Sequence, residues 1–446
     1  MGRKSLTRAL SVWANGTRIG VWRIPPRGPM ELQYDDAWIE SPAGRPLSLS
    51  LPYSPNNLPL RGDAVLNYFD NLLPDSEAIR ARIASRFRTV STDTFDLLQV
   101  IGRDCAGAVQ LLDEDDAPHD VASIRGTPLT ETGVEALLEQ TVSGRALGTS
   151  GADGDEFRLS LAGAQEKTAL LWHGGTWMLP HGATPTTHIL KLPLGLVGNK
   201  RADLSTSVEN EWLCLEILAA YGLPVARAEI KTFGAQKVLS VERFDRRLHA
   251  SKAWLLRLPQ EDFCQALGVP PYRKYEADGG PGMRDIAQIL RRSERAETDI
   301  ETLVAAQIVF WMLAAPDGHA KNFSLHLLPG GRCRLTPLYD VMSIWPVEGD
   351  GPSQWSWHKA KLAMAIEGTS KHYAMKEIQR RHFNAMAPKC FYGHNAEPIM
   401  TRLIEATPGV IQAVAARLPA AFPLKVAERI FKGLQVCAEQ LDAAPA

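Results

Sequence analysis

Residues 9 to 24, ALSVWANGTRIGVWRI, place Asn15-Gly16 between two runs rich in β-branched and aromatic residues, and that pattern predicts a β-hairpin at the start of the chain. The stretch RPLSLSLPYSP, residues 45 to 55, reads as a further strand. Ala64 to Leu73 and Ser76 to Phe87 then read as helices, with Pro74 and Asp75 as stop and restart, and Asp93 to Val100 as another. CAGAVQLL closes this unit with a strand, so residues 1–112 are expected to form a small α+β domain. Residues 113–156 form a connecting segment: a short helix near Val134 to Gln140, then SGRALGTSGADGDE, whose Gly, Ser and Asp content suits a linker.

From residue 157 to 258 strand-like runs (FRLSLAG, KTALLWH, THILKLP, ARAEIKTF, KVLSVERF) surround one helix from about Thr206 to Tyr221, bounded by Ser205 and by Gly222 and Pro224. Residues 259–446 are mainly helical, interrupted by one hairpin at 323 to 340. The whole pattern predicts an α+β protein: a small N-terminal α+β domain, then a two-lobed region with a mainly helical C-terminal lobe. No internal repeat is visible.

Composition narrows the class. A chain of 446 residues with 45% hydrophobic positions exceeds one core, so two or three packed units are expected. The formal net charge of -1 argues against a general attraction to nucleic acid or anionic lipid, and any such role must be local. The six cysteines are scattered, without a CxxC pair or a His cluster at metal-ligand spacing, which fits a reducing bacterial-type cytoplasm. The most apolar stretch, Leu303 to Ala315, is too short to span a bilayer and contains Gln307, so no membrane association is expected.

The stretch WMLAAPDGHAKNFSLHLLPGGRCRLTPLYD, residues 311 to 340, carries the chemistry. Asp317 precedes Asn322 by five residues, the spacing of kinase catalytic loops, and a predicted hairpin returns Asp340 towards Asn322. Phosphoryl transfer needs a carboxylate for the acceptor hydroxyl and hard oxygen ligands for Mg²⁺ on the triphosphate of ATP, roles open to Asp317 and to Asn322 with Asp340. Each residue alone reads more readily as a turn, a cap or a strand end; their joint order and spacing point to phosphoryl transfer instead. Lys191 lies inside an otherwise apolar strand, as a phosphate-pairing lysine should, and the following helix offers Glu209, Glu211 and Glu216 to orient it, of which Glu211 is preferred. Backbone groups around Glu242, Arg243 and Phe244 fall where an adenine-binding connection between lobes would be. SLAGAQEKT, residues 160 to 168, has one glycine, Gly163, and lacks the glycine that precedes Lys-Thr in a Walker A loop.

Taken together, FRLSLAGAQEKTALL, PTTHILKLPLG, VERFDRR, RLPQEDFCQ, KYEADGGPG, DGHAKNFS and LTPLYD closely resemble the HipA toxin kinases of bacterial toxin-antitoxin systems. That resemblance implies a kinase-like region related to protein and lipid kinases, with Asp317 catalytic, Asn322 and Asp340 as metal ligands and Lys191 as the ATP lysine. It implies ATP contacts at Ala162, Gly163, Ala164, Gln165, Glu166 and Lys167, at Glu242, Arg243 and Phe244, at His319, Ala320, Lys321 and Asn322, and at Tyr339 and Asp340. It further implies inactivation by autophosphorylation at Ser160, glutamate-tRNA ligase as protein substrate, drug-tolerant persistence as outcome, and a helix-turn-helix antitoxin that represses the operon with the toxin on operator DNA. The chain departs from the family at Pro316, where a residue such as threonine is expected. Two other readings compete. A small-molecule phosphotransferase could use the same carboxylates, and a non-catalytic co-repressor could meet DNA through Lys376, Arg380 and Arg381, although a solvated helix face accounts for that cluster as well.

Overall fold

The computed structural model describes residues 7–143, 165–197 and 201–444. The opening hairpin pairs strands Arg8–Ala14 and Thr17–Ile24, and Asn15 and Gly16 at its turn take φ values of 49° and 81°, the left-handed pair that a two-residue hairpin requires. Strands Glu31–Tyr34 and Leu60–Arg61 extend the sheet on one side and Gln110–Asp113 on the other, all antiparallel. Helices Asp63–Asp70, Glu77–Phe87 and Thr94–Ile101 accompany this sheet, and Trp22 stacks on Phe69 with ring centroids 4.0 Å apart inside the N-terminal core.

RPLSLSLPYSP is not a strand. Its backbone groups find side chains instead of a neighbouring strand: the Leu47 N–H donates to the Tyr34 hydroxyl, which donates to the Leu51 carbonyl, and the Leu49 N–H donates to Glu261. The segment lines the boundary with the C-terminal lobe, where Ser48 and Ser50 both donate to the Gln265 carbonyl.

The second unit is a six-stranded antiparallel sheet in the order Ala228–Phe233, Gln236–Glu242, His188–Lys191, Lys167–His173, Thr176–Pro180, Gly126–Pro128. Its edge strand and the helix Glu131–Ser143 come from the connecting segment, and Val134 and Leu138 of that helix bury against Leu170, Leu190 and Val238. Helix Ser207–Ala220 crosses between this sheet and the C-terminal lobe and is buried along nearly its whole length, so it carries apolar residues on all sides.

The C-terminal lobe is built around helix Ala296–Met312, buried from Thr302 onward; the most apolar stretch of the sequence is thus the axis of its core. Helices Glu397–Ala415 and Leu424–Ala443 pack beside it. Two hairpins interrupt the helices, not one. Besides Ser324–Leu327 with Cys333–Leu335, strands Lys361–Glu367 and Lys371–Ala374 pair antiparallel. The second was hidden because Leu362 to Ile366 are buried on both faces and show no alternation. No described helix is long and apolar enough to cross a membrane, and all six cysteines are buried and unpaired.

A buried cluster of charges joins the N-terminal domain to the sheet-bearing unit that follows it. Asp104 of the N-terminal domain accepts from Arg243, Arg246 and Arg257, and Asp245 pairs with Arg243 and Arg246. Asp104 is held well below the usual carboxylate range, since the three guanidiniums outweigh the burial that would raise it. Buried charges persist only when so paired.

Candidate active site

A cavity of about 850 Å³ opens between the two lobes, and the N-terminal domain forms part of its wall through Asn71, Leu72 and Asp75. Its floor is the loop after helix Ala296–Met312. There Gly318 lies against Phe310, and a Cβ at that position would sit 2.6 Å from the ring, so the Asp-Gly-His turn needs glycine for close approach. The Asn322 Nδ2 donates to the Asp317 carbonyl at 2.7 Å and the His319 N–H to the same oxygen at 2.8 Å, closing the loop. This bonding direction turns the Asn322 Oδ1 away from the loop backbone. With Pro316 in place the loop is closed by hydrogen bonds from Asn322 and His319.

Asp340 is delivered by the segment after Cys333–Leu335, which Val225 and Pro224 pin at Leu338. Its φ of 60° is a left-handed conformation that aspartate tolerates better than most residues. The Lys191 Nζ sits 2.7 Å from Glu211 Oε1 and 2.9 Å from Asp340 Oδ1. Glu211 is therefore the partner among the three glutamates: Glu209 pairs with Lys237 and Glu216 with Arg417. On the same helix, Asn210 bonds both the N–H and the carbonyl of Ser343, which fixes the chain just past Asp340.

The electrostatics follow from one lysine shared by two carboxylates. Burial pulls Lys191 down, but Asp340 and Glu211 more than reverse it and hold the ammonium charged. Asp340 stays well below the usual range against its burial because Lys191 and Lys167 face it, whereas burial wins at Glu211 and raises it. Lys167 lies opposite Lys191 across the strand pair; burial first, then the charge of Lys191, lower it to about 8. Two lysines and two carboxylates thus share one buried site, the kind of coupled charge cluster that marks functional centres.

Asp317 is the most open of these groups, its side chain 45% exposed. The Tyr275 hydroxyl donates to its Oδ1 at 2.5 Å, and the His319 Nε2 lies 3.8 Å away. His319 is lowered by burial despite Asp317. Lys321 and Lys274 both donate to Asp75, at 2.6 and 2.8 Å, and the two lysines outweigh burial to lower Asp75 to about 2. Tyr339 donates to the Lys321 carbonyl and shares a 2.5 Å bond with Ser324. Ala320 is buried in the same turn.

At the other end of the cavity, Gln165 donates to the Leu192 carbonyl, the Leu192 N–H to the Glu166 carbonyl, and Arg82 of the N-terminal domain pairs with Glu166. Ser160, Ala162, Gly163 and Ala164 lie outside the described residues. At the inter-lobe connection Phe244 lines the cavity, but the Arg243 side chain turns into the buried charge cluster, and the Glu242 and Arg243 N–H groups are taken by the Arg227 and Thr187 carbonyls. Of the suggested DNA cluster, Arg380 is committed to Glu397 at 2.5 to 3.0 Å and to the Leu441 carbonyl, which ties three helices together, while Lys376 and Arg381 remain exposed. Lys274, Tyr275 and Asp75 had no assigned role in the sequence; the first two lie inside the KYEADGGPG motif, and Asp75 read as a helix restart.

This two-lobed fold, with a buried lysine-glutamate pair above an Asp-x-x-x-x-Asn loop and a second aspartate, defines a phosphotransferase of the protein-kinase class. The comparisons agree. The family model described as HipA-like C-terminal domain matches residues 159–412, and that described as HipA N-terminal domain matches residues 10–112. "Putative kinase Y4mE" of Sinorhizobium fredii is 37% identical over 340 residues, covering 75% of this chain and 77% of that protein. The serine/threonine-protein kinase toxin HipA of Shewanella oneidensis is 29% identical over 348 residues, 75% of this chain and 73% of its own length. A solved structure of HipA with HipB and operator DNA from that organism superposes with a TM-score of 0.78 at 22% identity, covering 98% of both chains. The chain belongs to the HipA family of toxin kinases, and its enzyme class is that of a protein kinase.

Proposed function

We propose that the chain transfers the γ-phosphoryl group of ATP to a serine hydroxyl of a protein, with Asp317 orienting or deprotonating the acceptor. The observation that carries this reading is the convergence of Lys191, Glu211, Asp340, Asn322 and Asp317 on one cavity. Lys191, held by two carboxylates, is placed to pair with the phosphates, with Lys167 beside it. The backbone from Glu242 to Phe244, which lines the cavity, is placed to meet the adenine. Asn322 and Asp340 suit Mg²⁺, since both present hard oxygens: the Asn322 amide is turned by its own hydrogen bond, and only one Asp340 oxygen is bound by Lys191. Bound there, the ion would neutralise phosphate oxygens.

Family resemblance supports three finer points: glutamate-tRNA ligase as acceptor, neutralisation by a helix-turn-helix antitoxin of the HipB kind with operator DNA, and self-inactivation at Ser160. A phosphoserine brings about two negative charges and three acceptor oxygens. Placed just before Gln165 and Glu166, whose anchor is the residue after Lys191, it would compete with ATP for the same cations.

The acceptor is tested with purified glutamate-tRNA ligase of the host and Mg-ATP. One phosphoryl group is expected on a ligase serine, absent with Asp317→Gln and reduced when antitoxin is added first. A ligase that stays unmodified while the chain phosphorylates itself would assign a different acceptor.

A further inference from the structure

The N-terminal domain reaches the cavity through one carboxylate. Asp75 follows Pro74 at the start of helix Glu77–Phe87, yet Ser76 is the residue that caps this helix, so the Asp75 side chain has no local task. It points instead across the domain boundary, where Oδ1 accepts from Lys321 of the catalytic loop and Oδ2 from Lys274. The three side chains are 14%, 4% and 15% exposed, and all line the cavity. Both lysines adjoin reacting positions. Lys321 immediately precedes Asn322, and Lys274 precedes Tyr275, whose hydroxyl holds Asp317.

Adhesion between the domains does not require this contact. Asn67 and Asn71 donate to the Gly268 and Val269 carbonyls, Ser48 and Ser50 to Gln265, and Asp104 binds three arginines. What Asp75 adds is restraint of charge. Two ammonium groups on one carboxylate leave a single net positive charge in fixed positions near Asp317. Freed, both lysines would follow the phosphates, binding nucleotide at least as well while depriving the loop that carries Asp317 and Asn322 of one of its anchors.

We propose that Asp75 is a positioning residue for phosphoryl transfer, so that the N-terminal domain is a working part of the kinase site. The proposal rests on the kinase reading of Asp317 and Asn322. It is tested in the full chain by Asp75→Asn, which keeps the shape and removes the charge. Single-turnover phosphoryl incorporation into the chain from Mg-ATP is expected to slow at least tenfold, with ATP dissociation constants by calorimetry unchanged or lower. A wild-type rate overturns the proposal, and so does parallel loss of rate and ATP binding, which would mark a purely structural contact. Should Asp75→Asn not fold, Asp75→Glu decides: it keeps the charge and moves it by one methylene, and a slowed rate with intact ATP binding is expected, whereas a wild-type rate overturns the idea. A wild type that neither binds ATP nor phosphorylates itself or the ligase would instead contradict the kinase reading itself.

Discussion

At the scale of single residues, the proposed chemistry turns on what touches Asp317. Its Oδ1 is occupied by the Tyr275 hydroxyl, which leaves Oδ2 for an acceptor, and the Tyr275 ring is steadied edge-on by His319 with centroids 5.1 Å apart. Tyr275→Phe keeps the ring and deletes only the donor. Loss of a hydrogen bond to a charged group is worth about 1.5–3 kcal/mol, so kcat is expected to fall roughly 10- to 100-fold with the KM for ATP unchanged. Steady-state kinetics checks this, and a rise in kcat would mean that Tyr275 blocks the acceptor position. Asp317, Asn322 and Asp340 were legible because their spacing lies within one stretch of thirty residues and each role demands a residue type. Lys191 was legible as a lysine in an apolar strand. Asp75 was not, because its partners Lys274 and Lys321 are about two hundred or more positions away and nothing local marks a side chain that crosses a domain boundary. Arg243 lines the cavity as well as serving the buried charge cluster with its side chain, a second task that nothing in its local sequence marks.

At the scale of elements, hairpins and helices with clear punctuation were read correctly: Asn15-Gly16 made its turn, and Lys167–His173 is a strand with the bounds its pattern implied. RPLSLSLPYSP failed because strand-like residues need a strand beside them, and here side chains from Tyr34 and Glu261 satisfy the backbone first. The hairpin of Lys361–Glu367 and Lys371–Ala374 failed for the opposite reason, burial on both faces. Helix Ala296–Met312 and the loop after it form one mechanical unit, because Gly318 rests on Phe310. Gly318→Ala forces the ring or the loop to move. A stability loss of about 1–3 kcal/mol is expected, together with a fall in phosphoryl transfer, measured by denaturant unfolding and by rate. Unchanged values for both would show that the loop has more room than this packing allows.

At the scale of the whole molecule, the N-terminal domain, the sheet and the helical lobe meet around buried charge. Asp104 with its three arginines is matched, but Glu261 is not: Oε1 accepts from Leu49 and Oε2 has no partner. Burial raises Glu261 to about 8, above its ordinary value of 4.5. A carboxyl raised in the folded state contributes stability that is full below its unfolded value and is lost as pH rises through its folded value, here between about 4.5 and 8. Glu261→Gln, a permanent mimic of the protonated form, should match wild type at pH 5 and exceed it at pH 8 by on the order of 2 kcal/mol in denaturant unfolding. An equal stability difference at both pH values would contradict the shift.

The sequence shows changes of pattern near residues 112, 156 and 258, from which two or three packed units are expected. The share of the site that the N-terminal domain supplies was not legible there, since it arises only when the units close on one another.

We propose above all that the centre built on Asp317, Asn322 and Asp340 moves phosphate from ATP. Intact mass and a phosphopeptide map after incubation with Mg-ATP test it most directly, beside Asp317→Gln. One added phosphoryl group at Ser160 in the wild type and none in the variant is the expected result. A wild type that does not bind ATP, or a variant that incorporates phosphate as fast as wild type, would contradict it.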